Sequence, residues 1–593
     1  MISNICKGTV MFQDLPPDIL FHILRFLHVR DLLSFRKTSK LFANLTAERC
    51  VWFDAFNLSV YSKGLPIPGL HNLNISSMNS KELENLTLKS LRLHHNWASR
   101  YPKSYGEFNI PSEHVNDNPR VLSIYFLVLN GRQYLLTVIF LKPSLDTRNF
   151  ALGCWDISSS TPRCVARRYT PMFAGMMVNK DSKNPAIISL TKRGIDGFDS
   201  TAILSIDLDA QNPDDGFTTL SEFPTFGKPL LLQGSTFLSS NERQFIGVYD
   251  INVGALQCIL QVPLPHGDLT TIEDGHRCHG VVVIDRFVVS FCRQWINLYV
   301  LPFIQDSSNS LTQLKTDNHH DTSIPPEVPR IDPIAQHRWQ WRIDHLLVSP
   351  QIESRSQKHN KHSKSAPPIN IFIRFDTWFP WPVNILHHFI LPPNPSYDSF
   401  SLTSLNKESS IISPDRLPYL FSPENPTIHA PYMSESFSSP LRIFSPSDVA
   451  LGRYGTAIWI DAQSDVNTPS QAGDHGQRVA GTLLKKYPPK IAQEFLASEH
   501  NEIQYKINGM AEESDDDEDE ENNENLEYSL PVRTDGGVAA YMQNESRGKI
   551  MSFKVEPITD LWSKVAMDED EGKIALGAVD GSITIYDYCP PSQ

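Results

Sequence analysis

Residues 572–588 read GKIALGAVDGSITIYDY. Ile574 to Val579 and Ser582 to Tyr586 alternate apolar and small residues, with Asp580-Gly581 between them. Period-two alternation on both sides of an Asp-Gly step predicts a β-hairpin, because glycine accepts the positive φ that a tight turn requires. A hairpin alone cannot bury its apolar face. These seventeen residues therefore ask for a larger sheet system around them.

Working outward, the same grammar recurs. VLSIYFLVLNGRQYLLTVIFL, residues 121–141, has the length of a membrane span, but Asn130-Gly131-Arg132-Gln133 sits at its centre. A charge and a turn stand where a span needs hydrocarbon, and Asn-Gly between two β-rich runs predicts a second hairpin. GCWDI (153–157), AILSIDL (202–208), QFIGVYDI (244–251), ALQCILQV (255–262), VVVIDRFVVSFC (281–292) and INLYVL (296–301) are further strand candidates. INIFIRF (369–375), GTAIWIDA (455–462) and GKIMSFKV (548–555) follow. They are rich in β-branched and aromatic residues and bounded by turn formers. No amphipathic helix of useful length separates the early strands, which argues against β-α-β units and for antiparallel sheet.

In the opening stretch, Gly577-x-x-Asp580-Gly581 leads into a strand that finishes Tyr586-Asp587. That pattern resembles the inner hairpin of a WD-repeat propeller blade. Trp155-Asp156, Tyr249-Asp250 and, more loosely, Trp459 with Asp461 are similar to the same strand ending. Blades of that family recur every 40–45 residues, whereas Trp155 and Tyr249 stand 94 residues apart. Long insertions account for the spacing: 306–335, 350–368, 391–447, 463–480 and 500–546 are polar, Pro/Ser/Asn-rich and without pattern, the composition of disordered segments. With these removed, the strands suffice for roughly six to eight four-stranded sheets. A β-sandwich accompanied by other β units gives similar strand signals and stays open at this stage.

The totals bound what such a protein does. The 593 residues contain 43 prolines against 29 glycines, as a loop-rich chain does. Net charge is −14, yet EESDDDEDEE at 512–521 holds nine of the acids, so the remainder is near −5 and no broad basic face points to nucleic acid. That run reads as a self-repelling, solvated loop in which Ser514 suits an acid-directed kinase. Eight cysteines occur with no C-x-x-C pair, and the first residues, MISNICKGTVMFQDLPP, lack a signal-peptide core. A reducing interior, cytoplasm or nucleus, is the expected home.

Chemistry-bearing patterns are sparse. His276-x-Cys278-His279 is the one metal-like cluster, but three neighbouring ligands cannot surround a tetrahedral ion, so a loop between strands is expected. His319-His320 and His387-His388 read as loop or strand-edge residues. No phosphate-binding loop, nucleophile elbow or zinc-protease motif occurs. No catalytic residue, cofactor or metal is assigned, and an enzyme is not expected. Five Ser-Pro steps, at Ser349, Ser413, Ser422, Ser439 and Ser445, suit a proline-directed kinase.

The amino-terminal segment differs from the rest. DLPPDILFHILRFLHVRDLLSFRKTSKLF, residues 14–42, carries Ile19, Leu20, Ile23, Leu24, Phe26, Leu27, Leu32, Leu33 and Phe35 in twenty-nine positions. Pro16 and Pro17 fit a first helical turn and Asp18 suits its positive end. Asp31 can cap a second helix, and Ser39 a third that carries Leu41, Phe42, Leu45 and then Trp52. Three short helices with apolar residues on several faces leave a patch that needs a partner. NSKELENLTLKSLRLHHNW, 79–97, follows as a longer helix, with Asn79 and Glu82 at capping-box spacing and Leu83, Leu86, Leu93 and Trp97 on one stripe.

Leu15-Pro16-x-Asp18-Ile19-Leu20, Ile23-Leu24, Leu27, Leu32-Leu33, Arg36, Ser39-x-x-Phe42 and Trp52 together resemble the F-box motif. The 79–97 helix is similar to the linker that precedes propellers in F-box/WD-repeat proteins. The resemblance implies an α+β multidomain chain: an F-box over 9–56, a helical linker over 57–104 and a β-propeller-like substrate-binding domain over 105–590. It implies a Skp-type adaptor as partner, a cullin-based ubiquitin ligase beyond it, and a protein target held by the propeller. The chain itself then supplies proximity rather than catalysis. Leu15, Pro16, Ile19, Leu20, Leu32 and Leu33 are the residues implied at the adaptor contact, with Leu24, Leu27 and Phe42 as bundle core. Neither nucleic acid nor a membrane is an expected partner. A second reading, a scaffold that pairs with the adaptor alone and drives no ubiquitylation, fits the same residues. Arg167, Arg168, Arg293, Arg338 and Arg342 lie near strand ends, but no target-binding residue is assigned.

Overall fold

The computed structural model describes residues 15–72, 74–111, 119–141, 149–159, 161–194, 199–241, 245–263, 277–302, 328–339, 342–352, 366–375, 385–397, 416–421, 431–440, 447–462, 476–487 and 549–591. Within these, the strands form seven sheets, each with four consecutive antiparallel partners. Blade 1 is Arg120–Leu129, Arg132–Leu141, Asn149–Asp156 and Arg163–Pro171, and blade 2 is Phe173–Val178, Ile188–Arg193, Asp199–Ile206 and Phe217–Thr225. Blade 3 is Lys228–Gln233, Thr236–Ser240, Phe245–Asp250 and Ala255–Gln261; blade 4 is Cys278–Ile284, Phe287–Cys292, Trp295–Val300 and Ala335–Arg338. Blade 5 is Ile343–Pro350, Ile369–Phe375, Ile385–Leu391 and Tyr432–Ser438, and blade 6 is Val449–Leu451, Thr456–Ala462, Gln477–Leu483 and Met551–Glu556. Blade 7 takes Trp562–Asp568, Lys573–Ala578 and Ile583–Asp587 from the end of the chain. Its fourth strand is Gly106–Ile110, paired antiparallel with Ile583–Asp587.

The apolar core shows that these sheets close into a ring. Leu152 clusters with Leu190, Phe223 with Phe237, Leu260 with Val288, and Phe291 with Ile371, joining blades 1 to 5 in order. Phe372 clusters with Trp459, Ile460 with Leu576, and Ile585 with Leu135, which returns to blade 1. Every blade thus packs against its neighbours, and Gly106–Ile110 from the start of the ring closes it by serving as the outer strand of blade 7. The architecture is a seven-bladed β-propeller, and the sandwich reading falls.

Local chemistry explains the strand endings. In blade 1 the Trp155 indole Nε1 donates to Thr137 Oγ1 on the neighbouring strand at 3.1 Å. The ring folds back over Gly153, where a Cβ would stand 2.8 Å from Nε1. Blade 3 repeats the device with Tyr249 bonded to Ser239 and its ring 2.8 Å from a Cβ at Gly247. Both third strands therefore end Gly-x-aromatic-Asp. Trp459 is different: it lies in the second strand of blade 6, where Nε1 donates to Asp461 Oδ2 at 3.0 Å. Its pairing with an acid two residues on imitates the strand ending without the position.

Both predicted hairpins form. Asn130 and Gly131 take φ of 47° and 74° between Leu129 and Arg132, and Gly581 takes 83° beside Asp580. The polar stretches differ from expectation in part. Arg330–Ile331 adds a parallel fifth strand to blade 3, Tyr432–Ser438 is the fourth strand of blade 5, and Gln477–Leu483, the third strand of blade 6, begins inside the stretch 463–480. Outer strands face solvent, so YMSESFS shows little hydrophobic pattern. The 500–546 stretch and the acidic run lie outside the described residues. Among the described residues no helix is long and apolar enough to cross a membrane.

Candidate docking surface

Four helices, not three, build the amino-terminal unit. They are α1 (Pro17–Leu24), α2 (Val29–Arg36), α3 (Lys40–Leu45) and α4 (Arg49–Phe56). Pro16 is the N-cap of α1 and Pro17 its first residue, with Asp18 in the first turn. α2 starts after His28, which puts Asp31 in its first turn rather than at the cap. Ser39 caps α3 by accepting from Phe42 N at 3.2 Å. Trp52 falls on the separate α4, because the chain turns at Thr46–Glu48 and the indole Nε1 donates back to Thr46 O at 2.8 Å.

α5 (Ser80–Trp97) carries the predicted capping box: Asn79 Oδ1 accepts from Glu82 N at 2.9 Å, and Glu82 Oε2 accepts from Asn79 N at 2.8 Å. Its apolar stripe serves two cores. Leu83 and Leu86 pack with Leu24, Leu32, Trp52 and Phe56, whereas Leu93 and Trp97 pack with Phe553 and Tyr588 of the propeller. Arg36 locks the first of these contacts. Its Nη1 and Nη2 reach both Glu84 oxygens at 2.7 and 3.1 Å, and its guanidinium lies 5.5 Å from the Trp52 ring centroid. A fork on a carboxylate adds geometric specificity to the charge. One helix of eighteen residues, about 27 Å long, thus fastens the small unit to the ring.

The six residues implied at the contact separate by exposure. Pro16 and Ile19 are exposed, Leu15 and Leu33 half-buried, and Leu20 and Leu32 buried at 2% and 1%. Leu24 and Phe42 are buried and Leu27 half-buried. Phe26 is 69% exposed, just past α1, with His22 edge-on at 5.3 Å. Ile19, His22 and Phe26 are spaced three and four apart, so they share one face. Leu41 on α3 is exposed as well. Ile19, Phe26 and Leu41 thus leave apolar area in solvent on the helical unit.

Other candidates dissolve into structure. His387 and His388 lie in the third strand of blade 5, not at an edge, and burial pushes both below the usual imidazole range. His388 Nε2 sits 3.1 Å from Asn370 Oδ1. Among the described residues no group of three or more His, Cys, Asp or Glu could hold a metal ion; His276, His319 and His320 lie outside them. Arg167 pairs with Asp214 at 3.2 Å and Arg168 donates to Thr219 at 2.8 Å, both on the outer strand of blade 1. Arg338 lies over Trp295. The backbone around Arg293, Arg338 and Arg342 is brought together by bonds from Ile343 N to Arg293 O at 2.9 Å and from Trp339 N to Gln294 O at 2.8 Å. Of the Ser-Pro serines, Ser439 is buried and Ser349 half-buried; Ser413, Ser422 and Ser445 lie outside the described residues.

Comparison with known proteins gives one family match and several solved structures. The F-box-like family matches residues 12–57. No curated protein matches the chain by sequence. Among solved structures, a chain of ctPRC2 is 10% identical with a TM-score of 0.39, covering 83% of this chain and 98% of its own. The Cps50 (Swd1) β-propeller domain of Myceliophteria thermophila is 10% identical with a TM-score of 0.37, covering 81% and 99%.

Proposed function

We propose that this chain, an F-box-like domain fused to a seven-bladed propeller, is a substrate receptor of a Skp–cullin–F-box ubiquitin ligase. The observation that carries the reading is the exposed apolar face formed by Ile19 on α1 and Phe26 just past it, on a unit whose centre is well packed. F-box domains generally bind Skp-type adaptors, and an adaptor seated on Ile19 and Phe26 removes that face from water. The propeller then presents its loops to a target protein. α5, shared between two cores, holds target and ligase at a fixed separation, which raises the effective concentration of acceptor lysines. The combination is typical of non-catalytic adaptor proteins, and cytoplasm or nucleus suits the role.

The test is co-precipitation from cells. Leu15→Ala with Pro16→Ala should abolish recovery of the adaptor, since one central apolar anchor is worth about 2 kcal/mol. The cullin should be lost with it, and the target's lifetime should lengthen. Undiminished adaptor recovery refutes the docking surface. Recovery of adaptor without cullin from the wild-type protein selects the scaffold reading instead.

A further inference from the structure

Blade 4 contains two cysteines that no part of the proposed function uses. Cys278 and Cys292 are direct partners across the antiparallel pair formed by the first two strands. The next backbone bond outward runs from Arg293 N to Arg277 O at 2.9 Å. A bond between the flanking residues identifies Cys278 and Cys292 as the narrow, non-hydrogen-bonded kind of pair, whose Cα atoms lie about 4.5 Å apart. Disulfides accept Cα separations of roughly 4.4–6.8 Å, a range that such a pair falls within, and the register slips at a bulge just beyond it, between Cys278 and Gly280.

Cys278 Sγ donates to Gly280 O at 3.4 Å, and other polar groups converge on Cys292. Ser290 Oγ lies 3.8 Å from Cys292 Sγ and Asn297 Nδ2 lies 3.7 Å from it. Gln336 Nε2 donates to Asn297 Oδ1 at 2.9 Å, which leaves the amide nitrogen facing the sulfur. The Cys278 thiol first, and then Ser290 and Asn297, hold the Cys292 thiol below its ordinary range in spite of burial, while burial pushes Cys278 up. Cys258 provides the contrast: it is buried in the adjoining cluster, and burial pushes its thiol up to about 12.

We propose that Cys278 and Cys292 form a hydroperoxide-sensitive dithiol that closes to a disulfide across blade 4. The Cys292 thiolate attacks the distal peroxide oxygen; the O–O bond breaks, leaving Cys292 sulfenic acid and, after proton uptake, water or an alcohol. Cys278 then loses its proton and attacks the Cys292 sulfur, expelling hydroxide, which takes up that proton as a second water. Two thiols are oxidised and one peroxide is reduced. The chemistry follows the ordinary order of cysteine oxidation, with the resolving thiol already in place.

Trypsin makes the test direct, because Arg277, Arg286 and Arg293 put Cys278 in peptide 278–286 and Cys292 in peptide 287–293. Purified full-length protein is reduced, freed of reductant, treated with hydrogen peroxide, blocked with iodoacetamide and digested without reduction. The expected product is the two peptides joined with the loss of two hydrogens, while Cys258 remains alkylated. In Cys278→Ser, Cys292 should stop at the sulfenic acid and be trapped by dimedone. Full alkylation of both cysteines after peroxide overturns the proposal. So does a cross-link from Cys292 to any other cysteine.

Discussion

Trp97, the last residue of α5, stands edge-on to Tyr588 of the propeller, with ring centroids 5.7 Å apart and planes at 80°. Phe553 of blade 6 completes the group at 5.1 Å from Trp97 and 5.3 Å from Tyr588, and Tyr588 Oη donates to Phe553 O at 3.0 Å. Edge-to-face rings fix orientation as well as burying area. This trio therefore ties the helical unit to the two blades on either side of it. Replacing Trp97 with alanine should cost about 3–5 kcal/mol in this fully packed site. Hydrogen exchange should show faster amides over Lys89–Trp97 and unchanged amides in blade 2. Equal protection of α5 in the variant locates the fastening elsewhere.

A glycine in blade 6 makes room for an acid from blade 7. Glu569 is buried and accepts from Tyr454 N at 2.7 Å and Thr456 N at 2.8 Å, and a Cβ at Gly452 would collide with its carboxylate. Gly452→Ala must displace that carboxylate and strand two backbone donors, at about 2–4 kcal/mol. Gly234 is the control: its φ is +58° but nothing lies within 4 Å of an added Cβ. There only the left-handed backbone is penalised, about 1 kcal/mol. Urea unfolding of the two variants should separate them clearly. Equal midpoints would falsify the steric account.

Glu569 also sets a pH dependence. Burial raises it from 4.5 to about 7 against the bonds from Thr456 and Tyr454, with Asp570 adding repulsion. Asp568 and Glu571 in the same turn are raised too, again chiefly by burial. Arg453 and Tyr454 are both bonded to Asp570, Lys486 acts on Glu569 from blade 6, Lys89 and Lys573 act on Glu571, and His71 from the linker stands 3.9 Å from Asp570. An acid raised on folding binds its proton more tightly in the native state, so stability falls as pH climbs from 4.5 towards 7. The Glu569 share is about 3 kcal/mol. Denaturation at pH 5, 6 and 7 should show that decline, and Glu569→Gln should flatten it. A slope unchanged in the variant removes Glu569 as its source.

The parts of this fold that speak through short-range chemistry were legible. Asn79 with Glu82 announced α5, and Asn130-Gly131 and Asp580-Gly581 announced their hairpins, because a cap or a turn is decided by neighbouring residues. Blade count and closure were not legible. Gly106–Ile110 meets Ile583–Asp587 across nearly the whole chain, and no local pattern records such a partner. Blade 5 was hidden by Tyr432–Ser438, whose Glu435 is buried only because His388 and Lys485 meet it at 3.8 and 3.6 Å. The docking residues divide for a related reason. Leu20 and Ile19 are equally apolar neighbours, and only the position of α2 and α4 around α1 decides which one turns inward.

That division yields a sharper test of the docking surface than any single loss of binding. Ile19 and Phe26 are exposed, whereas Leu20 and Leu32 are buried. Ile19→Asp and Phe26→Asp place charge on the free face. They should leave the melting temperature within a degree or two, since exposed substitutions change stability by less than about 0.5 kcal/mol. Adaptor recovery should nevertheless fall at least tenfold, because an unpaired carboxylate buried at an interface is strongly disfavoured. Leu20→Ala should behave in the opposite way, losing about 2–5 kcal/mol of stability and weakening adaptor binding only as far as the unit unfolds. Calorimetry and adaptor pull-down on the same three preparations give the comparison. If Ile19→Asp and Phe26→Asp bind as the wild type does, the adaptor uses another face of the four helices.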